Sequence, residues 1–473
     1  MRQRSRPRTA RPLALAVALI ALGGAGCTAP ESLGAGVEGT PGAVGLRDPY
    51  FPKLGNGGYD VSDYALTLDY DPKTRNLSGT ATITARATQG LSAFNLDLHG
   101  MTVHSATVGT APAAVNRAGD ELTLRPRDEI AEGSTFRATV RYSGSPRTIT
   151  DQDESQEGWL RTADGAVALG QPTGSMAWFP GNHHPSDKAT YETTITVPKG
   201  LTAVSNGELR SQRPTPDGKR TTFVWRSAEP MASHAATIGI GSYVTKSYRP
   251  ADGGVPVYTA VDETVAPRAA KLLARIPELT DWAVDNFGPY PFTSTGAIVE
   301  RSDDIGYALE TQSRATFPEA SFNAPTLVHE IAHQWFGDSV TPATWQDVWL
   351  SEGFATYAEW LYLEDFEDTP ASESFREAYD TESNWDFPPA EQPDVERFLG
   401  DPVYERGAMV LHKVREAVGD EAFYEIVQGW AEKHRHGNAS TDDFVAYVES
   451  ESGKDLTELW DTWLYGDAKP DRP

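Results

Sequence analysis

The chain has 473 residues, with 39% hydrophobic and 10% aromatic content and a formal net charge of −26 at pH 7. That length and apolar content suit a globular protein of two or three domains with ordinary cores. The acidic balance argues against nucleic acid as a partner and for an acidic, soluble surface, one that would also attract peptides with a free amino terminus. With one cysteine, Cys27, no disulfide can form within the chain.

The N-terminus carries a targeting pattern. Arg2, Arg4, Arg6, Arg8 and Arg11 precede an apolar run from Leu13 to Leu22, too short to span a membrane as a mature helix. Gly24-Ala25-Gly26-Cys27 follows and resembles a bacterial lipoprotein signal, in which the cysteine is lipidated after cleavage. Gly24 departs from the usual leucine, so ordinary secretion is the other reading. Residues 1–26 are expected to be the signal. Residues 27–49, rich in Gly, Ala, Pro and Thr at first, are expected to be a flexible tether. Either reading places the protein outside the cytoplasm, touching a membrane only through a lipid at Cys27.

From Tyr59 the hydrophobic period is two. Tyr64, Leu66, Leu68 and Tyr70 alternate with smaller or polar residues, as do Ala81, Ile83, Ala85 and Ala87. Phe94, Leu96 and Leu98 repeat the pattern, followed by Phe136, Ala138, Val140 and Tyr142, then Tyr191, Thr193, Ile195 and Val197. Turn signals such as Asn206-Gly207 and Asp217-Gly218 separate the runs. Residues 50–249 therefore predict an all-β, sandwich-like domain.

After about Pro250 the period becomes helical. Leu272, Ile276, Leu279, Ala283 and Phe287 share one helix face, with a kink expected at Pro277. A helix is predicted from Asn323 as N-cap, through Pro325 in its first turn, to Gly337. Another carries Glu352, and more are expected over 407–418, 420–434, 441–450 and 456–465. The fold class is α+β: the all-β domain, then a mostly helical domain over 250–473.

The helix from Asn323 holds His329-Glu330-Ile-Ala-His333. Histidines four apart lie one turn apart on one face, so two imidazole nitrogens can bind one zinc, with Glu330 beside it as general base. A zinc that activates water needs a third protein ligand and an open position. Glu352, in Trp349-Leu-Ser-Glu352-Gly-Phe-Ala, is the candidate. Two surface histidines are the alternative, but Leu327, Val328, Ile331, Ala332, Trp335 and Phe336 leave that helix little polar surface. One zinc per chain is expected.

These residues resemble the aminopeptidase N family of zinc metallopeptidases. Gln334-Trp-Phe-Gly337 and Trp345-x-Asp347-x-Trp349 match as well, and landmarks extend over nearly all the chain after the signal. They include Asp48-Pro-Tyr-Phe-Pro52, Trp178-Phe-Pro180, Pro185-Ser-Asp-Lys188, Ser205-Asn-Gly207 and Phe287-Gly-Pro-Tyr-Pro-Phe292. The resemblance implies that the second domain is thermolysin-like, in a short form without the C-terminal helical domain many members add. It implies hydrolysis of the N-terminal residue of peptides with a free amino terminus.

Several site residues come only from that resemblance. Tyr404, in Tyr404-Glu-Arg-Gly407, would offer its hydroxyl to the oxyanion; read alone it is a packing tyrosine. Glu310, in Gly306-Tyr-Ala-Leu-Glu310-Thr, resembles the glutamate of the family's Gly-x-Met-Glu-Asn strand and would bind the substrate amine. Tyr307, Leu309 and Thr311 replace the family's Gly, Met and Asn. Read alone, Glu310 is a strand-edge acid. Ala308 would add backbone contacts to substrate. Gln171 falls where the family has Glu or Gln near the amine.

Other readings stay open at this level: a zinc endopeptidase, or a surface-binding lipoprotein on an inactive scaffold. His183 and His184 are expected to be structural, and His412, His434 and His436 solvated. Asp347 reads equally as a partner of a ligating histidine or as a helix-start residue.

Overall fold

The computed structural model describes residues 38–151, 154–251 and 253–471. The expected signal and Cys27 lie outside these residues. Alternation in the first half builds an eight-stranded sheet. Its order is Glu208–Pro214, Arg220–Ala232, Lys188–Pro198, Tyr59–Asp71, Asn76–Ala87, Thr135–Gly144, Thr102–Val108 and Ala111–Pro112. Only the pairing of Lys188–Pro198 with Tyr59–Asp71 is parallel.

Tyr64, Leu66, Leu68 and Tyr70 are each 1% exposed, and the other period-two runs are buried with them. They share one core with two smaller sheets. One smaller sheet is built from Thr40–Pro41, Leu91–Asp97, Glu121–Arg125 and Ala114–Ala118. The other orders Thr148–Thr150, Gln156–Arg161, Ala166–Leu169, Ile238–Gly241 and Thr202–Ser205. Each large apolar side chain fully buried here contributes roughly 1.5–3 kcal/mol. A one-residue slip of register would turn the whole set to water.

The tether expected over 27–49 is docked from Thr40 onward. Thr40 N–H donates to the Gly90 carbonyl and Gly42 N–H to Ala93, both at 2.9 Å. Asp48 is 2% exposed and accepts N–H groups from Tyr50, Phe51 and Trp345. A Gly- and Pro-rich composition serves an extended edge as well as a linker. A Cβ on Gly42 would lie 2.4 Å from the Gly57 carbonyl oxygen.

The second half opens on a four-stranded sheet rather than on helices: Tyr243–Tyr248, Val257–Asp262, Thr295–Glu300 and Ala315–Pro318, the last three parallel. Thr295–Glu300 and Ala315–Pro318 are buried at every position, so no alternation marked them. At Pro277 the expected kink is a full break between helices α1 (Ala266–Leu273) and α2 (Ile276–Phe287). Proline sits in the first turn of α2, where its missing N–H is not needed.

Six more helices follow: α3 (Ala324–Ala332), α4 (Trp349–Phe366), α5 (Ala371–Asp380), α6 (Gly407–Val418), α7 (Asp420–Lys433) and α8 (Thr441–Ser452). The helix expected over 456–465 is two short turns. Helix α4 is buried continuously from Trp349 to Ala358, which makes it the central element of the domain. Among the described residues no helix is long and apolar enough to cross a membrane.

Buried polar contacts fasten the two halves. Lys188 Nζ donates to the carbonyls of Asp338, Ser339 and Gly437 at 2.9, 2.8 and 3.2 Å. Asn206 Nδ2 donates to the Gln312 carbonyl at 2.9 Å. Arg314, 1% exposed, donates to the carbonyls of Ser205 and Gly207.

Candidate active site

Helix α3 begins where its capping chemistry puts it: Asn323 Oδ1 accepts the Thr326 N–H at 3.0 Å, and Pro325 lies in the first turn. The helix ends at Ala332 rather than at Gly337. His333 N–H still reaches the His329 carbonyl at 3.1 Å, and the chain then tightens into a turn. Gly337 has φ 128°, and a Cβ there would meet Ser351 Oγ at 2.4 Å. That close approach seats Ser351 against His333.

Both imidazoles point their Nε2 atoms at one carboxylate. His329 Nε2 lies 3.4 Å and His333 Nε2 3.2 Å from Glu352 Oε2. One ligand atom from each of the three residues falls within 4.8 Å of the others. The opposite nitrogens are held from outside. His329 Nδ1 is 2.7 Å from Glu359 Oε1, and His333 Nδ1 is 3.0 Å from both the Phe336 carbonyl and Ser351 Oγ. These acceptors fix Nδ1–H, which leaves each Nε2 lone pair for a metal. Two neutral imidazoles and a carboxylate, converging with their outer nitrogens occupied, fit a zinc site with an open position.

Glu359 is not marked by any motif in the sequence. It lies seven residues after Glu352, two turns along the same face of α4, and that spacing is the one signal that marks it. Asp347 does not touch a ligating histidine. Its Oδ2 accepts Thr344 N–H and hydroxyl, its Oδ1 those of Thr441, so it is a helix-start residue.

Glu330 is 4% exposed, and its Oε2 has no hydrogen-bond partner among the described residues. Glu310, 5% exposed, places a carboxylate oxygen within 4.8 Å of ligand atoms of Glu330 and His333. Burial pushes the Glu310 carboxyl above its ordinary value and the Glu330 carboxyl up to about 8; a zinc cation held beside them would lower both and keep Glu330 ionised as a base. Gln171 reaches across from the β domain, its Nε2 donating to Glu310 Oε1 at 3.0 Å.

The Tyr404 ring lies 6.3 Å from that of His329, tilted 22° to it, on the turn Pro402–Arg406 before α6. Burial, with Glu352, Glu310 and Glu330 nearby, holds its phenol well above the ordinary value, so it stays protonated. Gln171, Ala308, Glu310, Glu330 and Tyr404 line one cavity of about 280 Å³ with the histidines and Glu352. The structure thus brings every residue singled out for chemistry or substrate to one place.

The other five histidines that the sequence singles out divide. His183 is 3% exposed, between Ser233 Oγ and the Phe179 carbonyl, both at 3.0 Å, and His184 bonds Ser186 Oγ at 2.7 Å. Both are structural. His434 and His436 are half-buried. His412, expected to be solvated, is 6% exposed, 5.0 Å from the Phe375 ring and 3.3 Å from the Tyr357 hydroxyl. The polar residues beside it on α6 hid that face.

Comparison with known proteins agrees with this geometry. The Peptidase M1 N-terminal domain matches residues 60–234, and the Peptidase family M1 domain matches residues 294–463. A probable aminopeptidase 2 of Sulfurisphaera tokodaii is 26% identical over 61% of this chain and 39% of its own length. An aminopeptidase N of Streptomyces lividans is 27% identical over 60% of this chain and 36% of its own. The chain thus spans under half the length of these curated relatives. The crystal structure of an M1 zinc metallopeptidase from Deinococcus radiodurans is 28% identical, with a TM-score of 0.84 over 90% of this chain and 98% of that one. A mutant of that enzyme bound to a Tyr-Ser-Ala substrate superposes with the same TM-score, covering 99% of its own chain.

Proposed function

This chain belongs to the M1 peptidase family, and from that premise we propose that it is a zinc aminopeptidase, releasing the N-terminal residue of peptides. One observation carries the exopeptidase reading. A buried carboxylate, Glu310, held by Gln171, sits within 4.8 Å of the general-base and ligand atoms of Glu330 and His333. An ammonium bound there presents the first peptide bond, and no later one, to the reacting groups.

His329, His333 and Glu352 would hold the zinc. Bound there, it would supply Lewis acidity and lower the pKa of water. The chain's own residues do the rest. Glu330, its Oε2 without a partner among the described residues, takes the proton of the attacking water and returns it to the leaving amine. Tyr404 donates its hydroxyl to the oxyanion as the carbonyl becomes tetrahedral. Glu310 binds the substrate ammonium. Gln171 donates one N–H to Glu310, which orients that carboxylate and leaves the amide carbonyl to accept from the same ammonium. Ala308 lines the cavity beside them and offers backbone to the peptide.

Paired peptides, one with a free amine and one N-acetylated, test the reading. Turnover confined to the free-amine form, and lost on chelation, is the expected result. Equal cleavage of both would make the chain an endopeptidase. On the N-terminal pattern we further propose export from the cytoplasm with Cys27 as the point of lipid attachment.

A further inference from the structure

Glu157 is 0% exposed, and no lysine or arginine pairs with it among the described residues. Burying a carboxylate without a cation is costly unless hydrogen bonds replace water. Here three do, all from one turn. Thr173 N–H and Gly174 N–H donate to Oε2 at 3.0 and 2.9 Å, and the Thr173 hydroxyl to Oε1 at 2.5 Å. That turn joins the strand Ala166–Leu169 to the short helix Gly174–Ala177 and carries Gln171. Thr173 is the N-cap of the short helix but makes no side-chain cap, because its hydroxyl is turned to Glu157. Glu157 thus caps that helix from the neighbouring strand, Gln156–Arg161.

The turn is tight on every side. A Cβ on Gly174 would lie 2.2 Å from the Leu169 carbonyl oxygen, and one on Gly170 would lie 2.3 Å from that of His234. Ser175 Oγ donates to the Ser233 carbonyl at 2.5 Å. Backbone and one carboxylate therefore determine where Gln171 points, and its Nε2 ends 3.0 Å from Glu310 Oε1.

We propose that Glu157 is a positioning residue for amine recognition: it fixes the Thr173–Gly174 turn so that the Gln171 amide meets Glu310 and the substrate ammonium. The proposal rests on the aminopeptidase reading above. Glu157 never touches the substrate and acts only through Gln171. Burial, reinforced by Asp151, pushes its carboxyl up to about 8 against the three bonds. A glutamine would suit the same place: its carbonyl oxygen can take both backbone N–H groups while its NH₂ donates to the Thr173 hydroxyl.

A double-mutant cycle on the full zinc-loaded chain tests this. Glu157→Leu should raise KM for a free-amine peptide about 3- to 10-fold, the scale of one hydrogen bond, with kcat little changed. Preference over the N-acetylated peptide should fall by the same factor. Glu157→Gln should restore parental values. On a Gln171→Ala background Glu157→Leu should add nothing, because its effect runs through the missing amide. An equal loss in both backgrounds, or a fall in kcat shared by both peptides, would make Glu157 merely structural and overturn the proposal. Should Glu157→Leu fail to fold, Thr173→Val removes one of the three bonds and must show a smaller KM effect with the same non-additivity. Glu310→Ala separates the two levels of the argument. If it leaves the free-amine preference intact, the amine site itself is misassigned. If it abolishes the preference while Glu157→Leu changes nothing, only the role of Glu157 falls.

Discussion

Glu359→Ala removes the acceptor that holds His329 Nδ1 at 2.7 Å, 30 residues away in sequence and on another helix. The ring would then lose both its fixed tautomer and the carboxylate that raises its basicity. Partners of this kind are worth about 10- to 100-fold in metal affinity, or about 1.4–2.7 kcal/mol. The lower end applies here. The Glu359 side chain is 31% exposed, so water can take its place and screens its charge. The expected result is a zinc dissociation constant about 10-fold weaker, and about 3-fold for Glu359→Gln, which keeps an acceptor but no charge. His333 offers a contrast within the same site. Its Nδ1 retains the Phe336 carbonyl if Ser351 is lost, so Ser351→Ala should weaken zinc less than Glu359→Ala. Competition against a chromophoric chelator at fixed pH measures all three, and activity at saturating zinc should return close to parental. A Glu359→Ala protein binding zinc within twofold of the parent would refute the argument.

Glu330→Gln should keep zinc but lower kcat at least ~10²-fold, the scale of general-base catalysis; near-parental turnover in a zinc-replete variant would remove that role. Tyr404→Phe should lower kcat ~10²–10³-fold with KM little changed, because the hydroxyl matters once the carbonyl has become an oxyanion. A kcat within a few-fold of the parent would return Tyr404 to packing. Lys188→Met strips the donor from three part-buried carbonyls that join the domains, and should cost about 1.5–3 kcal/mol in urea unfolding; an unchanged midpoint would show that the strut carries no load. Cys27→Ala should release the protein from the membrane fraction of its host, and unchanged partitioning would exclude a lipid at that residue.

The sequence exposed the metal centre because helical geometry is local: a spacing of four residues is one turn, and Glu352 sits in a recognisable helix. Contacts between distant segments left weaker marks. Glu359 is one of several acids on α4, and Glu157 meets Thr173 only because two strands and a turn fold back on each other. The strands Thr295–Glu300 and Ala315–Pro318 lost their alternation by being buried on both faces. Helix α5 went unread, and with it the Phe375 ring that covers His412. The segment from Thr40 has the composition of a linker, and its pairing with Leu91–Asp97 is visible only once that sheet exists.

The loop around Glu310 is held by backbone bonds and by one of the side chains that replace those of the family strand. Leu309 pairs with Thr316 through two backbone bonds of 2.8 and 2.9 Å, so the loop closes whatever side chain Leu309 carries. Thr311, where the resemblance expects Asn, donates its hydroxyl to the Arg314 carbonyl at 2.6 Å and meets Thr316 Oγ1 at 2.9 Å. Arg314 in turn lies 4.9 Å from the ring centres of both Trp225 and Tyr258 and is bonded to the Ser205–Gly207 turn. The carboxylate proposed to bind the amine is therefore carried on a catalytic-domain loop but aimed by the β domain, which also supplies Gln171. The proposed zinc ligands and their outer partners, by contrast, all lie on α3, α4 and the turn between them. Recognition and metal binding thus rest on different contacts. Substitutions in the β domain should move KM and leave zinc affinity alone, and those behind α4 should do the reverse.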